Sequence, residues 1–344
     1  MALALSVLDL IPVHSGQSTS SALAASVHLA RVAEEAGCRR FWVAEHHNTL
    51  SVASTSPPVL IGLLASATSR LRLGSGGVML PNHAPLAVAE QFALLEAAFP
   101  GRIDLGIGRA PGTDPVTAWA LRSAAGPSGD PVGNFDEYVR QVIALLNPGG
   151  ASLRAMGRTF EMRATPRAVS APQVWLLGSS DYSARLAAQE GLPYVFASHF
   201  GGPGAAQAMA LYRDGFAGEG EPVTFLTVNV VVADTDREAA RLALPFKFLM
   251  AALRTGQPGR ALMTVEEAES APLTVPRDTM DALASTWLVG TPTRVADGVR
   301  TLAAEFGVDE VMVQPVSGSY AGDPLDRTPS REHAIAVLAA ELAR

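Results

Sequence analysis

The sequence predicts an α/β protein that folds as one (β/α)8 TIM barrel with an insertion before the last strand. Three observations support this fold class. Eight short apolar segments alternate with segments whose apolar residues recur at helical spacing, which is typical of parallel α/β folds. The 344 residues suffice for one barrel domain, and no fixed-period repeat or low-complexity linker divides them. Residues 257–286 break the alternation with prolines and acidic residues just ahead of the eighth strand.

The first half of the chain supplies four predicted strands. The first strand lacks the basic start of a signal peptide. The helix after it is capped by Ser20 or Ser21 and runs to Ala36, with Gly37 as the stop. Two further helices are predicted over residues 56–68 and 85–99, the first with a proline in its first turn. The four strands are Leu3–Leu10, Arg40–Glu45, Leu71–Leu80 and Ile103–Gly108.

The second half supplies the other four strands. Residues 116–121 are expected to form a helical turn, residues 134–146 a helix, and residues 147–171 a surface segment with a short hairpin. Further helices are predicted over residues 180–190, 204–216, 236–255, 291–306 and 331–343. The strands are Val174–Gly178, Tyr194–Ser198, Thr224–Ala233 and Asp309–Gln314. The insertion at residues 257–286 is long for a connection, so it is interpreted as a mobile lid.

Composition excludes several classes of function. The net charge of −7, without a basic run, argues against nucleic acid and anionic membranes. No stretch of about 20 uncharged apolar residues predicts a membrane span. The single cysteine, Cys38, fits a reducing cytoplasm and excludes a cysteine metal cluster. The single lysine, Lys247, lies in a predicted helix rather than at a strand end, which makes lysine chemistry improbable. No metal site is predicted.

A glycine-rich segment covers the end of the fourth strand and the loop after it. Gly106, Gly108 and Gly112 approach a dinucleotide-binding spacing, but the spacing is one residue off and prolines interrupt the helix that should follow. Arg109 lies at the carboxyl end of this strand, where its guanidinium suits a phosphate or a carboxylate. The alternative is a structural ion pair with a neighbouring loop.

Three serines mark the turn from the fifth strand into its helix. Ser179, Ser180 and Ser183 could join the amides of a helix N-terminus in an anion site. Ordinary capping is the alternative, although a cap needs only one hydroxyl. Together with Arg109, these serines predict a phosphate pocket at one end of the barrel.

Two further strand ends carry unusual residues. Gly76 and Gly77 end the third strand and indicate close approach of a flat ligand, an unusual peptide or a β-bulge. Glu45, His46 and His47 follow the second strand. Because HExxH is missing and adjacent histidines point to opposite sides, a zinc site is not expected. One histidine should face the pocket and transfer a proton, the alternative being a histidine bonded to a neighbouring loop.

Four blocks agree in order with a known family: FWVAEHHN, GSGGVMLPNHAPLAVAEQ, PGRIDLGIGRAPGTD and WLLGSSDYSARLAAQEGL. In these blocks the chain resembles the bacterial luciferase-like flavin monooxygenases. The resemblance implies a barrel that binds reduced FMN at its C-terminal face and activates O2 there. It implies a catalytic pair of His46 and Glu45, and a non-proline cis peptide at Gly76–Gly77. It also implies cofactor-binding residues, namely Gly76, Gly77, Arg109, Gly178, Ser179, Ser180 and Ser183, although luciferase has an acid at the position of Ser179.

The resemblance also implies partners. An FMNH2-dependent enzyme of this kind works with a separate NAD(P)H:flavin reductase, O2 and a small hydrophobic or aromatic substrate, and forms a homodimer in the cytoplasm. One alternative in the same superfamily transfers hydride with the deazaflavin F420, whose acidic tail would need more basic residues than Arg109. A second alternative is a non-catalytic flavin-binding subunit, against which the retained His46 argues.

Overall fold

Eight parallel strands close into a barrel at the centre of the molecule, as predicted. The computed structural model describes residues 3–122, 130–200, 204–257 and 260–344. Its strands are β1 (Ala4–Asp9), β2 (Arg40–Val43), β3 (Arg72–Ser75), β4 (Val78–Met79), β5 (Ile103–Gly108), β6 (Ala151–Ala155), β7 (Arg158–Met162), β8 (Gln173–Gly178), β9 (Tyr194–Phe196), β10 (Thr224–Val232), β11 (Leu288–Gly290) and β12 (Glu310–Pro315). The barrel order is β1, β2, β3, β5, β8, β9, β10 and β12, and β12 pairs with β1 to close it.

Helices cover the outside of the barrel. They are α1 (Thr19–Glu35), α2 (Pro57–Ala67), α3 (Pro85–Ala98), α4 (Pro115–Arg122), α5 (Phe135–Leu146), α6 (Asp181–Gln189), α7 (Ala205–Asp214), α8 (Asp236–Arg254), α9 (Val265–Ser270), α10 (Arg277–Leu283), α11 (Pro292–Phe306) and α12 (Pro329–Leu342). The cap of α1 is Ser18, whose side chain accepts from the backbone N–H of Ser21, so the prediction of Ser20 or Ser21 was wrong. None of the described helices is long and apolar enough to cross a membrane.

The third predicted strand is broken in two. β3 and β4 both run beside β5, and Gly76–Gly77 lies between them. The predicted hairpin in the surface segment is present as the antiparallel pair β6–β7. The strand β11 was not predicted, and it pairs with the last three residues of β10.

The insertion before the last strand contains two short helices. Thr264 caps α9 with a reciprocal bond to Glu267, which the Thr-x-x-Glu spacing encodes. Both α9 and α10 contact α8, and a small hydrophobic core joins them: Phe248, Ala251, Met263, Ala268 and Met280. At the start of the segment, Leu262 hydrogen-bonds through its backbone to Val13 and Ser15 after β1. The described part of the insertion is therefore a packed wall at one side of the barrel mouth. Residues 258 and 259 of the predicted lid lie outside the described residues, and its mobility stays a prediction.

A buried ion-pair cluster fills the N-terminal end of the barrel. Arg40 lies between Asp104 and Glu310, with N···O distances of 3.0 and 2.7 Å. Trp42 donates from Nε1 to Asp104 at 3.0 Å, and Ser6 donates to Glu310 at 2.6 Å. Since these side chains are almost fully buried, the cluster closes this end of the barrel, and ligands must enter from the opposite end.

Candidate functional site

The peptide between Gly76 and Gly77 is cis, which confirms the prediction made from the resemblance. Both glycines are tightly surrounded. A Cβ on Gly77 would lie 2.3 Å from Leu177 Cδ1 and 2.8 Å from the carbonyl oxygen of Gly106. A Cβ on Gly76 would lie 2.7 Å from Leu8 Cδ1. Any larger residue here would collide with the barrel wall, so close packing accounts for the glycine pair.

These glycines line a cavity of about 350 Å³ at the C-terminal ends of the strands, here called the glycine cavity. Its apolar walls include Leu8, Trp42 and Leu177. Its polar side combines the end of β5 with the turn from β8 into α6. All but one of the predicted site residues line it: His46, Gly76, Gly77, Arg109, Gly178, Ser179, Ser180 and Ser183.

Arg109 reaches the glycine cavity without an ion pair to any carboxylate in the described part of the chain. Its guanidinium carbon lies 4.1 Å from the ring centre of Tyr182, a cation–π contact that holds the charge in place. The alternative of a structural ion pair finds no support among these residues. Arg109 is thus a positioned cation at the cavity wall.

The start of α6 faces the same region. Ser180 is the N-cap residue, but its side chain does not cap the helix. Ser179 and Ser180 are exposed, whereas Ser183 is buried, and a Cβ on Gly178 would meet Ser183 Oγ at 2.6 Å. Ordinary capping therefore does not account for Ser180. The amides of a helix N-terminus and a positioned arginine can together bind an anion.

His46 lines the glycine cavity. Its Nδ1 atom is buried and has no hydrogen-bond partner in the described part of the chain. Burial lowers the pKa of His46, the charge of Glu45 opposes that shift, and nearby His47 adds to it. A neutral imidazole with an unused ring nitrogen can accept or deliver a proton near neutral pH.

Glu45 is fully buried and lines neither of the two large cavities in the described structure. It accepts hydrogen bonds from His47 Nε2 and His83 Nε2, both at 2.8 Å, and from the backbone N–H of Met79 at 2.9 Å. Burial alone would raise the pKa of Glu45, but these three bonds outweigh it and lower the pKa to about 2. Glu45 is therefore an ionised anchor that ties β2 to the segment after β3.

Two further histidines near the candidate site were missed by sequence analysis. His83 lies in the PNHAP segment, between a strand end and a helix, but nothing local connects it with Glu45. His199 follows the sixth barrel strand, and its Nδ1 hydrogen-bonds Thr227 Oγ1. Burial and the nearby His46 lower the pKa of His199 to about 3, so it is neutral at pH 7. Its place directly after a predicted strand was the available signal.

A second cavity of about 640 Å³ adjoins the first. Apolar residues of α8 and the insertion form much of its wall, including Phe246, Leu249, Met250 and Leu262. The two cavities share a boundary that consists of Leu10, His46, Met79, Ala110 and His199. At this boundary Met79 packs against Gly108. A Cβ atom added to Gly108 would lie 3.1 Å from the sulfur of Met79. His46 and His199, both neutral, thus lie where a ligand in one cavity would meet a ligand in the other.

A metal centre is not indicated. In the part of the chain that the structure describes, no group of three or more histidine, cysteine, aspartate or glutamate side chains could hold a metal ion. Cys38 is buried, and burial raises the pKa of its thiol to about 12.

Comparison with known proteins agrees with this architecture. Residues 3–310 match the family model described as luciferase-like monooxygenase. A luciferase-like monooxygenase of Escherichia coli (strain K12) is 40% identical over 314 residues, which cover 90% of this chain and 91% of the relative. The crystal structure of apo-MsnO8 superposes with a TM-score of 0.85 at 32% identity and covers 99% of this chain and 98% of that one.

A more distant structure shares the fold. It is the oxygenating constituent of 3,6-diketocamphane monooxygenase from Pseudomonas putida, in complex with FMN. It has a TM-score of 0.72 at 18% identity and covers 99% of this chain and 98% of that one. Since the family model spans most of the sequence and the barrel is shared, the chain belongs to the luciferase-like monooxygenase family.

Proposed function

We propose that this protein is a monooxygenase that uses reduced FMN and O2 to oxygenate a small hydrophobic substrate. One observation carries the proposal: an apolar, glycine-lined cavity with a cationic side adjoins a larger, mainly apolar cavity, and two neutral histidines line both. The first has the shape and charge for a flat cofactor with a phosphate, and the second has room for a substrate beside it.

The residues of the glycine cavity fit FMN. Gly76 and Gly77 give a wall without side chains for a flat ring system. Arg109, Ser179, Ser180 and the amides of α6 would hold the phosphate, while Gly178 and Ser183 shape the turn beneath it. When bound and reduced, this cofactor supplies the electrons for O2 activation.

The histidines then have separate tasks. His46 is assigned the proton transfer, because its Nδ1 is unpartnered and it borders both cavities. Glu45 acts indirectly. Its carboxylate binds the rings of His47 and His83, and these bonds fix the backbone next to His46. The apolar walls of the second cavity would exclude water from the reacting groups.

The reduced cofactor must come from elsewhere. Gly108 at the end of β5 lines the glycine cavity and Gly112 lines the second cavity, so we assign these glycines to cavity walls rather than to a dinucleotide fold. Flavin reduction is therefore assigned to a separate NAD(P)H:flavin reductase. Pure protein mixed anaerobically with FMN and NADH or NADPH should leave the flavin oxidised. Rapid bleaching without added reductase would contradict this assignment. A homodimer and a cytoplasmic location are part of the same proposal, and sedimentation analysis tests the former.

The test of the cofactor is a binding titration. Wild-type protein, Arg109→Ala and the control Arg158→Ala, which removes the same charge from the exposed hairpin, are titrated with FMN, riboflavin and F420. Arg109→Ala should weaken FMN binding by about 2 kcal/mol, or about 30-fold, because a charge-assisted phosphate contact is lost. Riboflavin, which lacks the phosphate, should bind wild type and Arg109→Ala almost equally.

Three results would overturn the proposal. Equal losses of FMN and riboflavin would make Arg109 a structural residue. If Arg158→Ala weakened FMN binding as much as Arg109→Ala does, the loss would come from the lower net charge and not from a phosphate contact of Arg109. Tighter binding of F420 than of FMN would favour hydride transfer instead of oxygenation.

A further inference from the structure

The inner end of the second cavity contains three buried polar side chains. Asn229 on β10 and Gln314 on β12 lie directly opposite each other as paired residues of neighbouring strands. Ser317 follows two residues after the end of β12. All three line the second cavity, and their exposed fractions are only 2%, 4% and 1%. They form one polar patch, here called the amide patch, in a cavity that is otherwise largely apolar.

The amide patch has unused hydrogen-bonding capacity. Asn229 Oδ1, Gln314 Oε1 and Ser317 Oγ are each buried without a partner in the described residues. Buried polar atoms are normally bonded, because leaving one without a partner costs free energy. Three such atoms on one cavity wall indicate that something inside the cavity satisfies them.

We propose, on the basis of the proposed function, that the amide patch recognises one uncharged hydroxyl or amide group on an otherwise apolar substrate. The side-chain amide of Asn229 donates to the carbonyl oxygen of His199 at 2.9 Å, and this leaves Asn229 Oδ1 as the unpartnered acceptor. Gln314 can offer an acceptor or a donor, and Ser317 can act as either. A group that both donates and accepts matches this set.

The surroundings disfavour an ionised group. Arg331 lines the same cavity, but its guanidinium already binds Asp9 at 2.6 Å and the carbonyl oxygen of Pro315 at 2.9 Å. A carboxylate at the amide patch would face the oxygen of Asn229 and lack a free cation among the described residues. Burying a charge without a partner is unfavourable, so the head group should be neutral. The apolar residues of α8 would contact the remainder of the molecule.

The test uses three small probes with the same ring system. 2-Naphthol carries a hydroxyl, naphthalene has none, and 2-naphthoate carries a carboxylate. Their affinities for flavin-free protein are measured by isothermal titration calorimetry. The hydroxyl should make 2-naphthol bind at least about tenfold more tightly than either of the other probes. In the double variant Gln314→Met/Ser317→Ala this preference should disappear, while naphthalene keeps its affinity within about twofold.

A matched control is available in the same cavity. Ser51 also lines it and is buried, but its hydroxyl already bonds Thr49 Oγ1 at 2.8 Å, so Ser51→Ala should keep the preference for 2-naphthol. Circular dichroism verifies that each variant folds. If the double variant unfolds, Ser317→Ala alone replaces it. This single variant should lose part of the preference for 2-naphthol.

The outcomes separate this inference from the proposed function. Equal binding of 2-naphthol and naphthalene, stronger binding of 2-naphthoate, no binding of any probe, or a preference that survives in the variants would overturn the role of the amide patch. The probes are tested without flavin. If the protein prefers 2-naphthol but does not bind FMN, only the cofactor assignment is refuted. Normal FMN binding without the preference would refute only the amide patch.

Discussion

The two ends of the barrel differ in whether their buried polar groups have hydrogen-bond partners. At the N-terminal end, Arg40, Asp104 and Glu310 satisfy one another, and Trp42 and Ser6 complete their hydrogen bonds. At the C-terminal end, the buried atoms that lack partners in the described structure include His14 Nδ1, His46 Nδ1, Asn229 Oδ1, Gln314 Oε1 and Ser317 Oγ.

The difference shows which end stabilises and which end binds. Paired charges at the closed end hold the strands together. Unpaired neutral groups at the open end cost stability and are available to ligands. The closed end also has exceptions, since Trp175 Nε1 and Thr224 Oγ1 at the start of β10 have no partner in the described structure. The Trp175 ring, however, lies 4.6 Å from the Arg40 guanidinium carbon.

The largest expected effect concerns the closed end. Arg40→Met should lower the free energy of unfolding by about 4 kcal/mol, because two buried carboxylates lose their shared cation. The control is Arg39→Met, which also removes an ion pair with Glu310 but starts from a side chain that is 45% exposed, and should cost less than about 1 kcal/mol. Urea denaturation measures both. Similar losses in the two variants would show that burial of the pair is not what matters.

The open end should respond to mild acid. Burial and the nearby Arg331 lower the pKa of His14, a neighbour of the second cavity's wall, to about 4, and the pKa of His199 is about 3. The unfolded chain takes up protons near pH 6.5, whereas the folded chain keeps both rings neutral. Stability is therefore full above pH 6.5 and is lost as the pH falls. Between pH 6 and 5, His14 and His199 should each contribute a slope of about 1.2 kcal/mol per pH unit, and His46, whose pKa burial also lowers, adds to it.

Denaturation at several pH values measures that slope. His14→Asn should reduce it by about 1.2 kcal/mol per pH unit, because one of the protons taken up on unfolding is removed. A stability that stays constant from pH 6.5 to 5, or a slope that His14→Asn leaves unchanged, would contradict the assignment.

His46→Ala should separate chemistry from stability. Turnover should fall about 100-fold, as expected for the loss of a proton-transfer residue, while FMN affinity stays close to that of wild type. Product formation is measured with photoreduced FMN and a substrate identified by oxygen uptake. Full turnover in His46→Ala together with inactivity of His47→Ala would show that the other histidine transfers the proton.

The smallest effects come from two buried serines, one at each end. Ser6→Ala removes a donor to Glu310 and should cost about 2 kcal/mol of stability. Ser317→Ala removes a hydroxyl that has no partner in the described structure, so stability should stay within about 0.5 kcal/mol or rise. Thermal unfolding compares the pair, and an equal loss in both would break the contrast between the two ends.

Sequence analysis predicted what is encoded locally. The barrel strands, the cis peptide at Gly76–Gly77 and the location of Arg109 follow from short segments and their family resemblance. The strand β11 was missed because its three residues form a strand only by pairing with the end of β10. The bond between Glu45 and His83 was missed because 38 positions separate them in the chain.

The amide patch could not be predicted from the sequence. Asn229 and Gln314 were visible inside predicted strands, but whether a buried amide has a partner depends on every neighbouring side chain. The two-helix insertion was likewise visible as an interruption, while its packing against α8 depends on contacts across the fold. Tertiary context decides these features.

Met79 separates the two cavities, and this position has a consequence for the lifetime of the enzyme. If turnover releases hydrogen peroxide, the thioether at the shared boundary meets the oxidant before the buried thiol of Cys38 does. Oxidation to the sulfoxide would place a polar oxygen between the two cavities, and methionine sulfoxide reductases could reverse it. We expect inactivation during uncoupled turnover to track oxidation of Met79, which peptide mass spectrometry can follow against the unmodified Cys38 peptide.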